Sequence, residues 1–165
     1  MITGLIFDRT AADVAHAQAL IDKLASGVAY DDLTDTEKAE MQTGCKGCYN
    51  YTDLNRVQDA TTTLAGLLEF YGYYNSIPAQ HSSWSRNGVP TQADWRAYVG
   101  AVHNNRACFY VLADTPPLPA IGAPLDYVGA NALEKTIYDQ SVLLDRLIES
   151  FRKSGTFAAG EDFTL

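Results

Sequence analysis

The sequence predicts an all-α protein, a small helical bundle of four main helices plus one short helix, with extended N- and C-terminal segments. Three observations predict it. Apolar side chains recur at steps of three and four along most of the chain. A threonine stands three positions before an acid at the head of three segments, at Thr10, Thr34 and Thr91. No pair of strands joined by hairpin turn chemistry appears between positions 10 and 154.

The first helix is expected over about 11–26. Thr10 and Asp13 make its capping-box start, Val14, Ala17, Ile21 and Leu24 its apolar stripe, and Gly27 its stop. Thr34 and Glu37 open a short helix over 35–43 that closes at Gly44. Gly47 and Asn50 then make a turn before a long helix over about 53–73, whose stripe is Leu54, Val57, Thr61, Leu64, Leu68 and Tyr71. Its weak point is the run Thr61 to Thr63, where β-branched residues lower helix propensity and burial of the stripe must compensate.

Between Asn75 and Pro90 the composition turns to Ser, Asn, Gly, Pro and Gln around Trp84, a loop with one aromatic anchor. Thr91 and Asp94 reopen a helix with Trp95, Tyr98, Val102, Phe109 and Leu112 on its apolar face, and Pro116 and Pro117 end it soon after Asp114. Four prolines stiffen the connector over 115–124. Ala130, Leu133, Ile137, Leu144, Leu147 and Phe151 mark a last helix over about 127–153, and Gly155 terminates it. The chain therefore divides into an extended segment over 1–9, a helical domain over 10–154 and a docking tail over 155–165. Each end is apolar enough to want a partner, whether the body of the domain, the other end or a second subunit.

With 165 residues the chain buries about two-thirds of its unfolded surface, enough for a core without disulfides or structural metal. Its net charge of −8 and lack of a basic cluster argue against binding a phosphate backbone. The apolar patch over 2–7 is too short for a secretion-signal core and no run approaches a bilayer span. Three cysteines, an odd number, point to a reducing compartment.

Cys45 and Cys48 form a CxxC, but no second ligand pair follows for zinc and no βαβ pattern surrounds it for thioredoxin-like work, so two small side chains packed at a helix entrance is the favoured reading. Cys108 reads as a core residue. His16, His81 and His103 lack metal-ligand spacing, and Ser82 to Ser85 lack a nucleophile elbow. Asp31, Asp32 and Asp35 resemble a calcium loop only superficially, since Leu33 holds a ligand position and no acid closes the loop. No enzyme activity, cofactor or metal is expected.

Two features remain. Ten tyrosines is a high count, and Tyr71, Tyr73 and Tyr74 cluster ahead of Trp84. Tyrosine suits surfaces that are apolar at one end and wet at the other, although such rings also cap and fill bundles. The candidate interaction surface is Tyr71, Tyr73, Tyr74 and Trp84 with the apolar ends, Ile2, Leu5, Ile6 and Phe7 at one and Phe157 and Phe163 at the other. The second feature is polar: Asn55 and Arg56 interrupt one apolar rhythm, Asn131 and Glu134 another. If those helices are antiparallel neighbours, Arg56 and Glu134 pair and fix register; otherwise both charges snorkel to water.

The segments DRTAADVAHAQAL (8–20), TDTEKAEM (34–41), KGCYNYTDLNRV (46–57), VPTQADWRAYV (89–99), TPPLPA (115–120) and YVGANALEKTIYD (127–139) occur in an order that resembles an uncharacterised family of small proteins of phages and prophages of Gram-positive gut bacteria. Cys48 departs from it, standing where alanine is usual. The resemblance implies a structural or tail-associated protein located in the virion after synthesis in the host cytoplasm. Its partners would be other phage structural proteins or itself, as a homo-oligomer. An accessory protein absent from particles, such as an assembly chaperone or regulator, is the alternative, and a small metal-binding domain or enzyme built on Cys45, Cys48 and a histidine the third.

Overall fold

A computed structural model describes residues 1–153, and over them the fold is helical, with α1 at Ala11–Ala25, α2 at Asp35–Thr43, α3 at Tyr51–Phe70, α4 at Gln92–Cys108 and α5 at Tyr127–Lys153. A single 3-10 turn, Tyr30–Asp32, lies between α1 and α2. Capping boxes open four helices: Thr10 with Asp13, Thr34 with Glu37, Asn50 with Asp53 and Thr91 with Asp94. At the head of α5 the Asp126 carboxylate accepts from the Gly129 N–H at 2.7 Å. In each case an acid meets the positive end of a helix dipole.

The three long helices pack pairwise and run parallel. Arg56 near the start of α3 meets Glu134 near the start of α5. Further along, the Asn105 amide of α4 donates to the Thr61 carbonyl of α3 at 3.0 Å, and the Gln140 amide of α5 donates to the Asn105 carbonyl at 2.9 Å. Residue numbers therefore rise together on all three. Parallel neighbours need long returns, and the returns are docked extended segments. The 71–90 segment descends along α4, with Asn104 donating to the Ser76 carbonyl and Gln80 to that of Ala97, before Trp84 reaches Asn55 and Gln58 of α3. The 109–126 segment descends from Thr115, bonded to Asp139, through Pro119, whose carbonyl meets His103.

Residues 1–9 form a third descending segment, along α5. The Met1 amino group pairs with Asp145, the Ile2 N–H donates to Ser141, that of Ile6 to Glu134, and Arg9 exchanges hydrogen bonds with Asn131. Of the partners open to the N-terminal end, the structure selects the body of the domain. The core lies between the long helices, where Leu64, Leu68, Val102, Leu133 and Ile137 are out of solvent, closed by Trp84 and Phe109 from the returns.

Three expectations are corrected. Helix α4 stops at Cys108, because Phe109 takes an extended backbone (φ −138, ψ 168) that turns its ring inward against Tyr73; Phe109 and Leu112 therefore do not belong to the helix. On α1 the buried residues are Ala17 and Leu20, while Val14 and Ile21 are 37% and 48% exposed, since α1 flanks an open cavity and not the central core. The helices carrying Arg56 and Glu134 are parallel, not antiparallel. The terminal tail, with Phe157 and Phe163, lies outside the described residues.

Candidate functional site

At the N-terminal pole of the long helices four charges meet, three of them buried and the fourth, Arg56, partly exposed. One Arg9 guanidinium nitrogen reaches Asp53 and Glu134, both at 2.9 Å, with side-chain exposures of 2%, 7% and 0%. Arg56 reaches the same two acids at 2.5 and 2.9 Å. Two cations and two anions cancel, which makes burial tolerable. Backbone groups add further bonds, Asp53 accepting from the Asn50 N–H and the Ile6 carbonyl accepting from Arg9, while the Arg9 Nε is buried without a hydrogen-bond partner. Burial opposes the charge of Arg56, yet its bonds to Glu134 and Asp53 hold it charged more firmly than a free arginine. The Arg9 guanidinium also sits 5.2 Å from the Tyr49 ring centre, and the Tyr49 and Tyr98 hydroxyls share a hydrogen bond of 2.5 Å. Burial pushes both phenols up, so both stay protonated. Every ionised member already has a counter-ion, so the cluster is built to hold the N-terminal arm, α3 and α5 together.

Beside it lies an open cavity of about 630 Å³ between α1, α2 and the heads of α3 and α4. Leu20, Met41, Leu54 and Trp95 make it mainly apolar, and Cys45 and Cys48 open onto it. Among the described residues no group of three or more His, Cys, Asp or Glu is arranged to hold a metal ion.

The opposite pole carries exposed aromatic rings. Phe70, Tyr74 and Tyr110 are 80%, 83% and 74% exposed, and Tyr71 stands edge-on to Phe70 with ring centres 5.0 Å apart. Beneath them Phe109 joins Tyr73 at 4.6 Å and Tyr110 at 5.8 Å, tying the ends of α3 and α4 into one aromatic cap.

The predicted surface residues separate accordingly. Tyr71, Tyr73 and Tyr74 are gathered at this cap. Trp84 is buried, its indole N–H donating to Gln58 at 3.1 Å and its ring stacked on His81, so it anchors the return and leaves the candidate surface. Ile2, Leu5, Ile6 and Phe7 are half-buried in the docked arm, Phe7 lying 5.1 Å from the Tyr138 ring. Arg56 and Glu134 are brought together within the cluster of four. Sequence reasoning missed Phe70 and Tyr110 on the cap and Arg9 and Asp53 in the cluster. Phe70 had a signal, a large aromatic off the apolar stripe of α3.

Comparison of the chain with protein-family models, with curated proteins and with solved structures finds no match. Among the described residues no helix is long and apolar enough to cross a membrane.

Proposed function

We propose that this chain is a non-enzymatic structural protein of a phage or prophage, tail-associated, that works by protein–protein contact through its aromatic pole. The observation that carries the contact reading is the group Phe70, Tyr71, Tyr74 and Tyr110, held outward at the ends of α3 and α4 by a packed layer of Tyr73 and Phe109. Aromatic rings on a rigid base lose little entropy on binding and supply the anchors of most interfaces. Rings of about 150–250 Å² each make a large share of the roughly 800 Å² per side typical of a stable contact.

The phage assignment is supported by the ordered segments that resemble the phage family. The net charge of −8 supports a protein partner over nucleic acid. Because the N-terminal arm lies on its own domain, self-association would also use the pole. Mass spectrometry of purified particles tests the reading. The protein at constant ratio to known structural proteins is the expected result; abundance in producing cells with consistent absence from particles would make it an accessory protein instead.

A further inference from the structure

Cys45 and Cys48 stand at the ends of a turn closed by a 2.9 Å hydrogen bond from the Cys48 N–H to the Cys45 carbonyl. Such a turn brings its first and fourth Cα atoms within about 7 Å, and disulfides bridge about 4.4–6.8 Å. The Asn50 side chain and the α1 backbone fix the turn in place. Gly44, at φ 92, packs so closely on Asn50 that a Cβ there would lie 2.0 Å from its amide nitrogen. A Cβ on Gly47 would lie 1.9 Å from the Asp13 carbonyl oxygen of α1. Both thiols are free, half-buried and face the cavity, which gives a small molecule a route to them.

We propose that Cys45 and Cys48 are a reversible dithiol/disulfide site, oxidised by low-molecular-weight disulfides that enter through the cavity. The Cys45 thiolate attacks one sulfur of the incoming disulfide, forming a mixed disulfide and expelling one thiolate. Cys48 then attacks the Cys45 sulfur, its proton passes to solvent or the departing thiolate, and the second small thiol leaves. Two cysteine thiols are oxidised and one external disulfide is reduced to two thiols. Burial, then the Cys45 thiol and the nearby Asp53 and Glu40 acids, push Cys48 up to about 11, which leaves the first attack to Cys45. Capping Cys45 removes its share of that shift, and Cys48 then reacts through its thiolate fraction at its short separation from the mixed disulfide. The closed bond ties the loop between α2 and α3 and fixes one wall of the cavity. The inference is independent of the aromatic pole.

The probe is bis(2-hydroxyethyl) disulfide, neutral and so not repelled by the acidic protein. Wild type, C45S, C48S and C108S are treated, acid-quenched and digested with trypsin without reduction. Lys46 lies between the two cysteines, so cleavage leaves peptides 39–46 and 47–56 joined only by the disulfide, or an uncut 39–56 peptide lighter by two hydrogens. The expected result in monomeric wild type and C108S is that this species exceeds the mixed adduct by about tenfold or more, because the second thiol is held at high effective concentration. C48S should keep one adduct on Cys45. Persistent adducts in wild type, a link found only in dimers, or an unreacted pair while Cys108 is modified would each overturn the proposal.

Discussion

Arg9, at the end of the N-terminal arm, and Glu134, two turns into α5, form an ion pair at 2.9 Å with 2% and 0% of their side chains exposed. Through it a segment without secondary structure of its own is tied to the longest helix. Replacing Arg9 by Met would leave the buried Asp53 and Glu134 carboxylates with only the partly exposed Arg56 between them, and it should cost about 3–5 kcal/mol in denaturant unfolding. Adding Glu134→Gln restores neutrality, so the double variant should be less destabilised than the sum of the two single ones. Additivity would mean that the four charges are not coupled.

Deleting residues 1–7 removes the Ile6 bond to Glu134, the packing of Ile2 and Leu5 against the core and the Phe7 contact with Tyr138. A loss of about 3 kcal/mol or more is expected from the half-buried apolar area, read as a lower unfolding midpoint. An unchanged midpoint, with a fall in mass by light scattering, would show that the arm serves a second subunit.

Two glycines should respond oppositely to alanine. At Gly47 the new Cβ meets the backbone of α1, so Gly47→Ala should cost about 3 kcal/mol or more and loosen α1. Gly66, exposed within α3, has no atom within 4 Å of such a Cβ, and Gly66→Ala should gain about 0.5–1 kcal/mol. Thermal unfolding of the pair distinguishes a close approach from mere helix propensity.

The contact between α1 and α2 should be sensitive to pH at both ends of the range. A hydrogen bond to Glu40 at 2.9 Å raises the pKa of His16 above its ordinary 6.5. The folded value exceeds the unfolded one, so this contribution is full below 6.5 and lost as pH rises through the folded value. Glu37 is lowered to about 2, first by its hydrogen bond to Lys23 and then by Thr34; its contribution is present above about 4.5 and lost as pH falls toward 2. NMR titration should place the His16 midpoint above 6.5 and return it toward that value in Glu40→Gln. An unmoved midpoint would contradict the pairing.

What could be read beforehand was local. Thr10, Thr34 and Thr91 announce their helices because a cap needs only a hydroxyl and an acid three residues on. The Asn50 and Asp53 cap does the same work with a less familiar first residue, and the start of α3 fell two residues late. Proline marked the wrong end for α4: Pro116 ends any helix, but the chain had already turned at Phe109, whose ring finds burial against Tyr73 only from an extended backbone. The parallel course of the long helices was not legible, since it depends on where the returns dock. Arg56 and Glu134 showed themselves by interrupting apolar rhythms. Arg9, in a segment without periodicity, had nothing to interrupt. Trp84 was legible as an anchor, but its burial depends on Asn55 and Gln58, a helix away.

The aromatic pole is most directly tested by site-specific photocrosslinking in phage-producing cells, with a photoreactive phenylalanine analogue placed at Tyr74 and, as a control far from the pole, at Gln18. Crosslinks from position 74 to a particle protein or to a second copy, and none from position 18, are the predicted result. Equal crosslinking from both positions, or none from position 74 while particles assemble normally, would contradict the account.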